Sequence, residues 1–178
     1  KDGLDGIMYD DATDKILTID HSKPLGTAVV IDPKTSNVVA TIALTGDGPE
    51  GGVSDGKGRI FLATNDHKLH ALDAATGKPI DGFGDHGAAL IFNGKLQRKG
   101  EMQFSSAPIV SDGVGVVGSS LDDNQRVDET PGTVHAYDAM TGAPKWTFDP
   151  LMGAHERAGA ANVWAPISAD DARGLVFL

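Results

Sequence analysis

Short apolar runs rich in β-branched residues recur along the chain, broken by clusters of Asp, Gly, Ser and Thr roughly every 8–12 residues. No window sustains the i, i+3, i+4 spacing of a capped amphipathic helix, so the pattern predicts an all-β protein. One phrase is written three times: AVVIDPKTSNVVATI from Ala28, LHALDAATGKPIDGF from Leu69 and VHAYDAMTGAPKWTF from Val134. Each copy reads strand, turn, strand. The apolar run ends in Asp (Asp32, Asp73, Asp138), Thr follows three residues on (Thr35, Thr76, Thr141), and Ser36, Gly77 or Gly142 comes next. An Asp carboxylate accepts backbone N–H groups ahead of it and Gly tolerates positive φ, which makes D-x-x-T-G a tight hairpin turn.

A second phrase precedes each of these and recurs near the end: DKILTI from Asp14, GRIFLAT from Gly58, GVGVVGSS from Gly113 and RGLVFL from Arg173. Ahead of these lie LDGIMYDDATD, PEGGVSDGKG, SSAPIVSDG and NVWAPISADDA, each a short apolar segment running into an Asp-rich turn. A full unit is therefore four antiparallel strands, A to D, and the 41 residues from Asp32 to Asp73 match the period of a β-propeller blade. The units are 1–46, 47–85, 86–150 with inserted loops, and 151–178, which is half a blade. Propellers close with roughly four to eight blades. About three and a half blades predict an incomplete ring, either a piece of a longer chain or one of two copies completing each other as a homodimer.

The 65 residues from Asp73 to Asp138 exceed the basic period by 24. The excess falls near residues 85–105, a D-to-A connection, and 121–132, a B-to-C connection, and another long D-to-A segment spans about 150–161. In a four-stranded antiparallel blade these connections emerge at the same end. All three insertions therefore belong on one face, where extra loop length signals function.

Composition adds a sign to this picture. Fifteen Lys and Arg against 25 Asp and Glu give a formal charge of −10, which opposes nucleic acid and anionic membrane surfaces and favours cations. The 23 glycines and 9 prolines match a turn-rich fold, and the absence of Cys excludes disulfides and thiolate metal sites. No run approaches the roughly 18 apolar residues of a membrane span. The missing initiator Met predicts a processed or trimmed start.

Candidate chemistry concentrates in the second insertion. GSSLDDNQRVDE, residues 118–129, gathers carboxylate and amide oxygens after a strand, a donor set that suits calcium or makes a solvated acidic turn. Its spacing is not that of an EF-hand. Trp164, in NVWAP at the start of the last A strand, is placed to stack on a planar ligand or to fill the core, whereas Trp146 in an outer strand is structural. The G-x-G-x-x-G of residues 113–118 is itself a strand and so is not a dinucleotide turn. His67 and His70 fall on opposite strand faces, and His86, His135 and His155 are scattered.

From about His67 onward, the phrases LHALDAATGKPIDGFGDHG, SSAPIVSDGVGVVGSSLDDNQRVDETPGTVHAYDAMTGAPKWTFDP and GAANVWAPISADDARGLVFL resemble the pyrroloquinoline-quinone (PQQ) dependent alcohol and sugar dehydrogenases, in particular the glucose dehydrogenase-like branch with an eight-bladed propeller. Residues 1–66 instead resemble YVTN-type, surface-layer-like propeller repeats. The first resemblance implies a periplasmic or extracellular quinoprotein oxidising a sugar or alcohol and passing electrons to a quinone or cytochrome. It implies that Asp123 and Asn124, with Asp122 as the neighbouring alternative, hold calcium, that Trp164 stacks on PQQ beside Asp123 and Asn124, and that Arg126 lies near the same pocket. It also implies that calcium polarises a quinone carbonyl while a later Asp, expected beyond Leu178, acts as base. The alternative class is a non-catalytic YVTN-like binding or scaffold module that retains quinoprotein loops.

Overall fold

The computed structural model describes residues 3–21, 24–46, 48–92, 94–96, 98, 100–122, 126–152, 154 and 159–178. Among these there is no helix, and the strands form three four-stranded antiparallel sheets and two pairs. The first sheet is β1 (Leu4–Asp10), β2 (Lys15–Asp20), β3 (Thr27–Asp32) and β4 (Asn37–Ala43), in chain order. The second is β5 (Gly52–Ser54), β6 (Arg59–Thr64), β7 (Lys68–Asp73) and β8 (Ala88–Leu90). After the short β9 (Met102–Gln103) comes the third, β10 (Ile109–Ser111), β11 (Val114–Val117), β13 (Val134–Asp138) and β14 (Pro144–Phe148), with β12 (Ser120–Leu121) interposed and paired to β9. A two-stranded sheet, β15 (Ser168–Asp170) and β16 (Leu175–Phe177), ends the chain.

The repeated turns close as their chemistry dictates. Asp138 Oδ1 accepts the N–H groups of Met140 and Thr141 at 3.0 Å, and Gly142 N–H returns to the Asp138 carbonyl at 2.8 Å with φ of 71°. Asp73 with Thr76 and Asp32 with Thr35 repeat the arrangement. Backbone hydrogen bonds, from Thr141 first in one turn and from Thr35 first in the other, hold the Asp138 and Asp32 carboxyls below their ordinary range.

The sheets stack face to face. Along β6, Ile60 and Leu62 face the first sheet with Leu17, Ile19 and Val30, while Phe61 and Ala63 face the third with Val117 and Tyr137. The period of two explains why RIFLAT is apolar on both faces: it is sandwiched between neighbouring blades. Full burial of Phe61, edge-on to Phe83 at 5.6 Å, contributes about 1.5–3 kcal/mol. Strands β1, β5, β10 and β15, the first of each sheet, lie side by side, so the blades radiate from a shared inner edge as in a β-propeller. Asp10 ties the first two sheets: it is fully buried, and burial is overcome by hydrogen bonds from Ser54, Thr13 and Gly58 that lower its pKa.

Two strands differ from the sequence expectation. The fourth strand of the second sheet is Ala88–Leu90, beyond residue 85, and not KPIDGF. Pro79 has no N–H to donate and makes a single bridge to Leu72; the chain then turns through Phe83 and returns with positive φ at Gly84 and Gly87. In the last sheet NVWAP is not part of strand A, which begins only at Ser168 beyond Pro166.

Candidate functional site

The three insertions meet. β9, in the first, pairs with β12, at the start of the second, through Ser120 opposite Gln103 and Leu121 opposite Met102. Glu101 anchors the junction. Its backbone carbonyl accepts Asp122 N–H at 2.9 Å, one carboxylate oxygen accepts Arg98 N–H at 2.8 Å, and the other accepts the Thr130 hydroxyl. Glu101 is 2% exposed and Thr130 3%, so one buried carboxylate grips the far end of the 122–130 loop while its backbone holds the near end. Arg98 also pairs with the half-exposed Asp122 carboxylate at 3.4 Å.

The third insertion is zipped to the second. Gly132 N–H donates to the Ala160 carbonyl at 2.9 Å, Pro131 bridges Ala160 in parallel, and Asn162 Nδ2 donates to the Ser119 carbonyl at 3.3 Å. Side chains are excluded at the contact: a Cβ on Gly118 would fall 2.2 Å from the Val163 carbonyl oxygen, and one on Gly132 2.5 Å from Asn162 Cα. The segment so held presents Trp164, whose carbonyl accepts the hydroxyls of Ser105 and Ser106 from the first insertion and whose side chain is 62% exposed. The indole therefore does not fill the core.

Among the described residues, Ser119 Oγ and Glu129 Oε1 are buried and have no hydrogen-bond partner. Groups of this kind are rare in folded proteins because each forfeits its hydration. Arg126 is exposed and makes a bidentate pair with Asp128, which raises the Arg126 pKa and lowers that of Asp128. Asp123 and Asn124 lie outside the described residues, as does His155.

Asp122, Arg126 and Trp164 thus stand on segments joined by the β9–β12 pair, the Glu101 bonds and the Gly132–Ala160 contact. Glu101, Thr130, Asn162 and the spacing glycines were not visible as functional; the only sequence signal was that GSS and ETPG flank the acidic loop. His67 and His70 serve separate surroundings. His67 packs edge-on to Phe92 and Phe104, and burial lowers its pKa, whereas buried His70 meets Thr64 Oγ1 at 2.9 Å. A cavity of about 620 Å³ runs along the inner edges of the sheets, lined by Asp5, Glu50, Ser106, Pro108 and Pro166 among others.

Residues 28–178 match the family described as "PQQ: Glucose/ethanol/alcohol dehydrogenase, beta-propeller domain". The match begins at Ala28, within the first sheet. The chain is 34% identical over 130 residues to the glycerol dehydrogenase large subunit of Gluconobacter oxydans, covering 67% of this chain and 18% of that protein. It is 32% identical over 130 residues to the quinoprotein glucose dehydrogenase of Escherichia coli, covering 67% and 16%. Among solved structures, the quinohemoprotein alcohol dehydrogenase of Comamonas testosteroni superposes with a TM-score of 0.61 at 23% identity, over 83% of this chain and 21% of that one. The chain spans less than a fifth of the length of the curated relatives it matches.

Proposed function

Because the chain belongs to the PQQ-dependent glucose, ethanol and alcohol dehydrogenase β-propeller family, we propose that it is the cofactor-facing segment of a quinoprotein dehydrogenase that oxidises a CH–OH group of a sugar or alcohol. The observation that carries this reading is the exposed Trp164 indole, on a segment whose Trp164 carbonyl accepts the Ser106 hydroxyl and whose Asn162 donates to the Ser119 carbonyl, three residues before Asp122.

The residues present fit PQQ and calcium. A planar quinone suits a stack on Trp164, and its carboxylates suit the guanidinium of Arg126. Calcium takes six to eight oxygens, and the Asp122, Asp123 and Asn124 side chains supply oxygen donors of the required hardness. When bound, the cofactor and its calcium supply the two-electron acceptor and Lewis acid for alcohol oxidation. This chain's own residues orient and stack. The general base is assigned to no residue among them. A periplasmic or extracellular location and a quinone or cytochrome acceptor accompany this proposal.

Titration of the protein with PQQ and calcium tests it. Saturable quenching of tryptophan emission is expected, abolished in Trp164→Phe and retained in Trp146→Phe. Dye-linked oxidation of glucose, glycerol or ethanol by the PQQ-loaded protein is the second readout. Absence of saturable quenching, together with no oxidation, overturns the reading in favour of a non-catalytic propeller module.

A further inference from the structure

A second constellation of ligand-type side chains sits at the inner edge of the first sheet, on residues the quinoprotein reading leaves unused. Asp5 occupies an irregularity in the β1–β2 register, where Leu4 pairs with Asp20 and Gly6 with Ile19 and Asp5 itself is skipped. Such a bulge re-aims the side chain of the extra residue. Next to it, a Cβ on Gly6 would come within 3.2 Å of Gly51 Cα and 3.4 Å of the Glu50 carbonyl oxygen. The bare backbone at Gly6 lets the connection into the second sheet pass directly over β1, which delivers Glu50. His21 follows β2 and is held by its N–H to the Gly3 carbonyl at 3.2 Å.

These three local devices converge. His21 Nδ1 stands 3.1 Å from Glu50 Oε1 and 3.5 Å from Asp5 Oδ2, and one ligand atom from each residue lies within 4.8 Å of the other two. Ligand atoms around a tetrahedral ion with bonds of ~2.0–2.1 Å are themselves roughly 3.3 Å apart. Two carboxylates and one imidazole balance a dication. All three side chains are partly exposed, so an ion has a path in. Asp5 and Glu50 also line the cavity of about 620 Å³, so a fourth position opens onto space shared with Ser106 and Pro166.

We propose that Asp5, His21 and Glu50 bind a first-row divalent cation of the zinc class, with an open coordination position facing the inner-edge cavity. The imidazole and the three-ligand count set it apart from calcium, which takes more ligands and only oxygens. An open fourth position admits water or an oxygen of a small molecule in the cavity.

Isothermal titration of the chelator-treated protein with zinc chloride, in the absence of PQQ, tests this independently of the quinoprotein reading. One saturable site of micromolar or tighter affinity is expected, unaffected by millimolar calcium. His21→Ala and Glu50→Gln are expected to weaken it by about tenfold or more, while His86→Ala, on the exposed His86 side chain, leaves it unchanged. Circular dichroism melts with and without zinc confirm that each variant folds, and a zinc-dependent rise in Tm in the parent is lost in His21→Ala. No saturable binding below millimolar zinc, or an affinity in both His21→Ala and Glu50→Gln equal to the parent's, overturns the proposal.

Discussion

Replacing Glu101 with Ala tests whether the first two insertions form one unit. The side chain supplies acceptors to two groups, Arg98 N–H at 2.8 Å and the Thr130 hydroxyl, in surroundings where Glu101 is 2% and Thr130 3% exposed. A buried donor left without its acceptor costs about 1–3 kcal/mol, and hydrogen bonds to a charged group contribute about 1.5–3 kcal/mol each. Only the Thr130 hydroxyl is a buried donor, since Arg98 is exposed and its N–H can turn to water, so the loss is about 1–3 kcal/mol, a sizeable share of the roughly 5–15 kcal/mol that holds an ordinary domain. The Asp122 N–H bond is to the Glu101 backbone and survives the substitution. Guanidinium unfolding followed by circular dichroism reads the loss as a lower midpoint at unchanged slope. Amide hydrogen exchange then localises it: protection at Thr130, Pro131-linked Gly132 and their neighbours falls before protection in β6 or β7. Glu101→Gln retains one acceptor oxygen and is expected to lose about half as much. A Glu101→Ala midpoint within about 0.5 kcal/mol of the parent, the range of an ordinary surface change, refutes the role assigned to this residue.

Gly132→Ala places a Cβ 2.5 Å from Asn162 Cα and is expected to destabilise by about 1–3 kcal/mol and to shift Trp164 emission. Gly82→Ala, where a Cβ meets nothing within 4 Å, is the control and stays within about 0.5 kcal/mol in the same thermal melts. Burial holds the pKa of His135, and of His67, below the ordinary histidine value. A depressed histidine contributes its stability in full above the unfolded pKa, near 6.5, and loses it as pH falls below that value. The denaturation midpoint is therefore expected to drop between pH 7 and pH 5, and His135→Gln to flatten part of that slope; a parallel profile in the variant rules His135 out as the source.

The repeats were legible because their determinants are local. An Asp that accepts the N–H groups two and three residues on, a Thr that joins it and a Gly or Ser with positive φ close the turn wherever it stands, so Asp32, Asp73 and Asp138 announced three blades directly. Alternation along RIFLAT likewise declared a strand covered on both faces. The acidic loop and Trp164 were visible as chemistry, and the common end of the B-to-C and D-to-A connections predicted that they share a face.

Other features are set by groups distant in the chain. The strand that completes the second sheet is Ala88–Leu90 because Pro79 withholds a donor and Phe83, in the connection from β7, packs edge-on against Phe61 of β6, a choice made by packing and not by the KPIDGF segment alone. Glu101 reads as one acidic residue in a loop until Thr130, 29 positions away, folds over it. Asp5, His21 and Glu50 are unremarkable in a chain of charge −10 until a bulge and a bare glycine bring them within coordination distance. The sequence by itself determined the blade, through turn chemistry and period; the tertiary structure decided the sites, since a buried acceptor or a ligand set is defined by which distant backbones can approach and which side chains they dehydrate.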